Sequence, residues 1–156
     1  MILNYFKELN LNEVDIIEIG GGNGGLCFYL YNISKCFNIK INSYSIFDLE
    51  IVSKLQKKVL DKLLVGESIN FMTLGNYEED KLKTKSFLII NYAYDEISSS
   101  FKTQYKEKII YKYCQNGFIT YNMVFAENDD LLEKAKRNEV EYPQTNFNGV
   151  NKHFYF

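Results

Sequence analysis

An apolar run that breaks off into five glycines within six positions sets the strongest limit on what this chain can fold into. Residues 14–19 (VDIIEI) read as a buried strand, followed by Gly20, Gly21, Gly22, Asn23, Gly24 and Gly25. A helix-patterned stretch comes next at 26–36, with Leu26, Phe28, Leu30 and Ile33 available for a sheet-facing side. Glycine adopts positive φ without a steric cost and lets a ligand approach the backbone. The helix behind it presents unpaired N–H groups at its start. A strand, a glycine turn and a helix open an α/β unit, and the turn lies at the carboxyl edge of the sheet, where ligands bind.

The rest of the chain keeps this rhythm. Strand-like runs at 39–47, 69–73, 87–92 and 118–125 alternate with helical patterns at 49–64, 101–113 and 130–137. In 49–64, Val52, Leu55, Val59, Leu60 and Leu63 recur at three- and four-residue spacing, the mark of an amphipathic helix. Asn116-Gly117 reads as the turn that introduces the strand at 118–125. Strands alternating with helices imply right-handed crossovers and a mostly parallel sheet covered on both faces. The tail departs from this: strand-like pieces at 140–142 and 152–156 are separated by a gap containing Asn148-Gly149. A parallel crossover needs a dozen or more residues, so the last strand must run antiparallel. The expected fold is therefore α/β: a Rossmann-like three-layer sandwich whose mostly parallel, seven-stranded sheet has an antiparallel C-terminal strand. Residues 1–156 form a single domain.

Composition weighs against several classes. A net charge of −2 supplies no basic face for a phosphate backbone and argues against a nucleic-acid partner. The longest apolar run is far too short to span a bilayer. Cys27, Cys36 and Cys114 are odd in number and lack metal-ligand spacing, which points to reduced, mostly buried thiols and a cytoplasmic protein. No tight His/Asp/Glu cluster is visible, so no metal is expected.

The glycine spacing admits two cofactors. Gly20, Gly22 and Gly25 fit a dinucleotide fingerprint, and Gly20, Gly22 and Gly24 fit the pattern of methyltransferases. Glu18, two residues before the first glycine, separates them: a pyrophosphate gains nothing from a carboxylate there, whereas a ligand carrying an ammonium and a sulfonium does. The antiparallel tail favours the same side. EIGGGNGG resembles motif I of class I S-adenosylmethionine-dependent methyltransferases. EIGGGNGGLCFYL, FDLEIVSKLQKKVL and FLIINYAYDEIS, taken in order, resemble successive blocks of the putative sugar O-methyltransferase family.

That resemblance implies an S-adenosyl-L-methionine cofactor and a hydroxyl acceptor, a sugar or other small molecule. It assigns Glu18, Gly20, Gly21, Gly22, Asn23 and Gly24 to the methionine part of the cofactor. Asp48, with Leu49 beside it, would take the ribose hydroxyls, a natural job for a carboxylate, though Asp48 also suits the N-cap of the helix that follows. Gly75 and Asn76, between Leu74 and Tyr77, would wall the adenine. Asn91 and Tyr92, with Ala93, would lie where the methyl group points.

A hydroxyl is a poor nucleophile and benefits from a general base. His153 is the only histidine. Asp95 and Glu96 are further candidates, or else caps of the next helix, and Asp129 and Asp130 are alternative bases or metal ligands. Only about a dozen residues precede the first strand, so no N-terminal helix is expected to close over the acceptor, and a partner chain or oligomer is expected to complete that site. The competing classes are a nicotinamide-dependent oxidoreductase and a non-catalytic scaffold that keeps the fold.

Overall fold

The computed structural model describes residues 1–122, 129–141 and 151–156. Seven strands form one sheet in the order β3-β2-β1-β4-β5-β7-β6. They are β1 (Glu13–Ile19), β2 (Lys40–Phe47), β3 (Ile69–Met72), β4 (Ser86–Asn91), β5 (Cys114–Asn122), β6 (Arg137–Val140) and β7 (Asn151–Tyr155). β1 to β5 pair in parallel, and β7 runs antiparallel to both β5 and β6. The expected mostly parallel sheet with an antiparallel C-terminal strand is what the chain adopts.

Alternation along the strands divides the core in two. One face of the sheet (Ile16, Tyr44, Ile46, Phe87, Ile89, Phe118) packs against α1 (Ile2–Glu8), α2 (Gly25–Ser34) and α3 (Glu50–Leu63). The other (Ile17, Phe47, Leu88, Ile90, Ile119, Tyr121) packs against α4 (Ser99–Tyr105) and the π-helical turn Lys106–Ile110 that continues it into α5 (Tyr111–Tyr113). The short α6 (Asp130–Glu133) adds Leu131 on that side. Three layers follow from strands with two apolar faces, each of which must be covered.

Several local expectations are corrected. α1 was not expected: Tyr5 and Phe6 meet Phe87 edge-on, and the Tyr5 hydroxyl donates to the Phe156 carbonyl at 2.6 Å. Asn116 and Gly117 do not turn but lie inside β5. Gly117 is there because a Cβ would stand 2.9 Å from the Leu88 Cβ, so it marks close strand packing. The helix expected at 130–137 is one turn long, and β6 starts at Arg137 rather than at 140. In α3 only Leu60 of the apolar stripe is fully buried. Leu55 and Leu63 are exposed, while Ser53 and Gln56 are buried beside Leu60. Polar side chains won the inner positions because the site needs them, as shown below. The Asn148-Gly149 turn and residues 123–125 and 142 lie outside the described residues.

Candidate functional site

The chain leaves β1 at Ile19 and turns through Gly20, Gly21, Gly22, Asn23 and Gly24 into α2, with positive φ at Gly20 (+74°), Gly22 (+56°) and Gly24 (+81°). At Gly20 even a methyl group is excluded, since a Cβ would lie 2.2 Å from the Cβ of Ala93. The loop after β1 and the segment after β4 therefore pack backbone against side chain with no room between them.

Two side chains hold this loop in shape. Asp48, just past β2, accepts the Gly22 N–H at 3.1 Å through Oδ2 and the Leu49 N–H at 2.8 Å through Oδ1. Gln56, fully buried on α3, donates from Nε2 both to the Gly22 carbonyl and to Asp48 Oδ2, each at 2.9 Å. Asp48 is not the N-cap of α3: Leu49 holds that position and the helix begins at Glu50. Gln56 falls within the block FDLEIVSKLQKKVL, but nothing in that block marks it as a site residue. Its role is visible only once α3 turns it inward. Ser53, beside it, donates to the Met72 carbonyl at 3.2 Å.

Glu18 lies beneath the loop, 2% exposed, with its carboxylate accepting the Tyr44 hydroxyl at 2.9 Å. Burial drives its pKa up to about 7, against the opposing hydrogen bond from Tyr44 and with a further push from the Asp48 charge. Its Oε2 would be 3.1 Å from a Cβ on Gly21, so the carboxyl supports the turn from below.

Above the loop a cleft of about 560 Å³ opens along the carboxyl ends of β1 to β4. Gly20, Asp48, Leu49, Gly75, Ala93 and Glu96 line it, and Phe47, Phe101 and Tyr105 make an aromatic side. Leu49 and Phe101 are exposed at 71% and 52%, the apolar rim expected of a site that a ligand covers. Gly75 sits in a tight turn closed by paired hydrogen bonds between Thr73 and Asn76, and Asn76 itself is exposed. Gly21, Gly22, Asn23 and Gly24 frame the loop behind Gly20 without lining the cleft.

The remaining candidates fall into two groups. Glu96 faces the cleft, whereas Asp95 lies beside it with Oδ1 buried and unpartnered among the described residues; burial raises its pKa. Neither caps α4, whose N-cap is Ser98. Asp129 and Asp130 are engaged elsewhere: Asp129 caps α6 through the Leu131 N–H at 2.9 Å and accepts the Tyr94 hydroxyl at 3.1 Å, while Asp130 pairs with Lys106. Among the described residues no three His, Cys, Asp or Glu side chains gather as a metal site.

Asn91, Tyr92 and His153 line a second groove of about 500 Å³, on the α1 and α2 side of the sheet. Asn91 pairs with Thr120 across β4 and β5, and Thr120 pairs with His153 across β5 and β7. One rung of the sheet thus aligns three polar side chains at its carboxyl edge. Tyr92 adopts φ +61°, sends its hydroxyl to Glu141, and follows directly on Asn91. A bulky residue in that conformation carries strain of the kind concentrated at functional sites.

No protein-family model matches the chain, and no curated protein resembles it closely enough to match. Solved structures do. TrmK of M. capricolum, in complex with S-adenosyl-homocysteine, superposes with a TM-score of 0.64 at 15% identity over 99% of this chain. The chain spans 66% of the length of that protein. The methyltransferase domain of bacterial CtHen1 gives 0.69 at 12% identity, covering 99% of this chain and 94% of its own. A SAM-dependent methyltransferase from Aquifex aeolicus gives 0.61 at 18% identity, with 97% and 86% covered. The fold is that of the class I methyltransferases. An rRNA methylase from Streptococcus thermophilus is among the methyltransferase neighbours too, so the shared fold serves more than one acceptor.

Proposed function

We propose that the chain binds S-adenosyl-L-methionine in the cleft over Gly20 and transfers its methyl group to a hydroxyl oxygen. The observation that carries the reading is the pairing of Asp48 with the glycine loop at the switch point of the sheet. A carboxylate fixed by Gly22 and Gln56 at the cleft wall is pre-organised for a ribose diol. The cleft volume is cofactor-sized, and its aromatic side formed by Phe47, Phe101 and Tyr105 suits a purine. Tyr105 is itself held neutral, its pKa driven up to about 12 by burial and the Asp48 charge.

When bound, the cofactor supplies a methyl carbon already activated by a sulfonium. The chain then has to orient the acceptor, keep water away and accept a proton. A pyrophosphate-bearing dinucleotide is the weaker reading, because Asp48 and the buried Glu18 put carboxyl groups around the loop amides that a pyrophosphate would need. The sugar acceptor implied by the sequence blocks requires a pocket rich in polar groups. The groove beside Asn91 is lined chiefly by aliphatic and aromatic side chains, which bears on the acceptor class below.

Calorimetric titration with S-adenosylhomocysteine, beside NADH, tests the cofactor. The homocysteine product binds and NADH does not, and Asp48→Asn weakens binding by about 10- to 100-fold through loss of charge-assisted hydrogen bonds. Binding of NADH in its place, or of neither, overturns the reading.

A further inference from the structure

The second groove has an unusual end wall. His153 is 3% exposed, its Nδ1 lies 3.1 Å from Thr120 Oγ1, and its Nε2 is buried with no partner among the described residues. A buried nitrogen without a partner is costly, and natural structures reserve such groups for water, ligands or catalysis. Phe118 stacks on the imidazole at 5.1 Å between centroids and fixes the ring plane. Along the groove from this end run Ile2, Leu30, Tyr29 and Ile33, the last two exposed at 61% and 42%. A chiefly apolar wall that ends at Asn91, Thr120, Glu141 and His153, with one buried, unsatisfied nitrogen among them, describes a pocket for a largely apolar molecule with one polar end.

Resting on the cofactor reading above, we propose that this groove is the acceptor site and that it takes an apolar ring compound by its hydroxyl, which hydrogen-bonds to His153 Nε2. Asn91, Tyr92 and Ala93 join the two sites: Ala93 lines the cofactor cleft, and the two residues before it line the groove. With Nδ1–H donating to Thr120 Oγ1, Nε2 carries the lone pair. The acceptor O–H proton moves to Nε2, an oxygen lone pair forms the new O–CH3 bond, and the C–S bond breaks with its electrons going to sulfur. Thioether, methyl ether and a protonated imidazole result, and the imidazole returns its proton to solvent. Burial keeps His153 below its usual pKa, so the ring is neutral and able to accept at the start.

A polyhydroxylated sugar suits this groove less well, because only Asn4, Asn91, Thr120, Glu141, His153 and the Tyr29 and Tyr92 hydroxyls offer it partners, and hydroxyls turned to Ile2, Leu30 and Ile33 would lose water without replacement. The geometry therefore selects a phenol-like or polycyclic alcohol.

The test is binding of 2-naphthol to the protein saturated with S-adenosylhomocysteine, followed by calorimetry or ligand-observed NMR, beside naphthalene and methyl glucoside. 2-Naphthol binds, and the loss of one hydrogen bond makes naphthalene about tenfold weaker. The glucoside does not bind at the same concentrations. Ile33→Trp, at a half-exposed position on the groove, abolishes naphthol binding and leaves S-adenosylhomocysteine binding unchanged. His153→Phe, which keeps a ring but has no acceptor, weakens naphthol by about tenfold for the same lost hydrogen bond. Glucoside binding in place of naphthol, or naphthol binding indifferent to Ile33→Trp, overturns the proposal while the cofactor reading stands. Failure to bind S-adenosylhomocysteine overturns the cofactor reading, and the acceptor role with it.

Discussion

Gly20 and Gly22 offer a controlled comparison, because both have positive φ but only one is crowded. A Cβ on Gly20 would meet the Ala93 Cβ at 2.2 Å, whereas one on Gly22 would meet nothing within 4 Å. Forcing an alanine into the left-handed region costs about 1–2 kcal/mol. Gly22→Ala should lose that much and no more. Gly20→Ala adds an overpacking cost of about 1–3 kcal/mol, for about 2–5 kcal/mol in total. At roughly 2–4 °C per kcal/mol for a chain of this size, Gly22→Ala lowers Tm by about 2–8 °C and Gly20→Ala by about 4–20 °C. Urea unfolding of the two single variants, of Ala93→Gly and of the Gly20→Ala/Ala93→Gly pair closes a double-mutant cycle. The coupling should be favourable by about 1–3 kcal/mol, since the glycine at 93 removes the atom that the new methyl group strikes. Equal losses at Gly20 and Gly22, with coupling below about 0.5 kcal/mol, would refute the claim that the loop and the segment after β4 are in hard contact.

The other predictions concern buried polar groups. Gln56→Leu removes both hydrogen bonds that Nε2 makes to the loop and to Asp48, and costs about 1–3 kcal/mol in urea unfolding with weaker S-adenosylhomocysteine binding. Glu18 has a folded pKa of about 7 against a usual 4.5, so its neutral form is the one the fold favours. Its stabilisation is complete below about pH 4.5 and is lost as pH rises to about 7, a change of about 3 kcal/mol that Glu18→Gln should abolish. His153 shifts the opposite way, down from 6.5 by burial. Its contribution is complete above pH 6.5 and is lost as the pH falls, and His153→Gln should flatten that limb in thermal melts. The two windows run with opposite signs, so each variant leaves the other group's limb exposed. A wild-type curve that neither substitution changes would count against both assignments.

Most of the sheet was legible because its strands are buried on both faces and read as unbroken apolar runs bounded by turns. The antiparallel final strand followed from a length constraint that no packing detail can relax. What was not legible were places where tertiary contact overrode local pattern. Gly117 looks like a turn glycine, yet it sits mid-strand because Leu88 needs the space. α1 is a single short helix whose hold on the sheet comes from aromatic contacts with Phe87 and Tyr155, far away in sequence. Of the stripe Val52, Leu55, Val59, Leu60 and Leu63, Leu60 is buried as the pattern expects, whereas Leu55 and Leu63 face out because Ser53 and Gln56 are drawn inward by the Met72 and Gly22 carbonyls.

The same logic separates the two halves of the candidate site. Glu18, Gly20 and Asp48 could be found in sequence because a turn of fixed geometry demands particular residues at fixed spacing. The proposed acceptor groove has no such grammar: Asn91, Thr120 and His153 belong to three separate strands and become neighbours only through strand register. Period-2 alternation in β5 puts Phe118 and Thr120 on the face of α1 and α2, and pairing with β7 then delivers His153 against both. As the only histidine, His153 is a candidate base in the sequence, but nothing there says what surrounds it. It gains meaning from the partner that one nitrogen has and the other lacks, and that asymmetry exists only in three dimensions. The proposed cofactor cleft is therefore written locally in this chain, and the proposed acceptor groove is written in its topology.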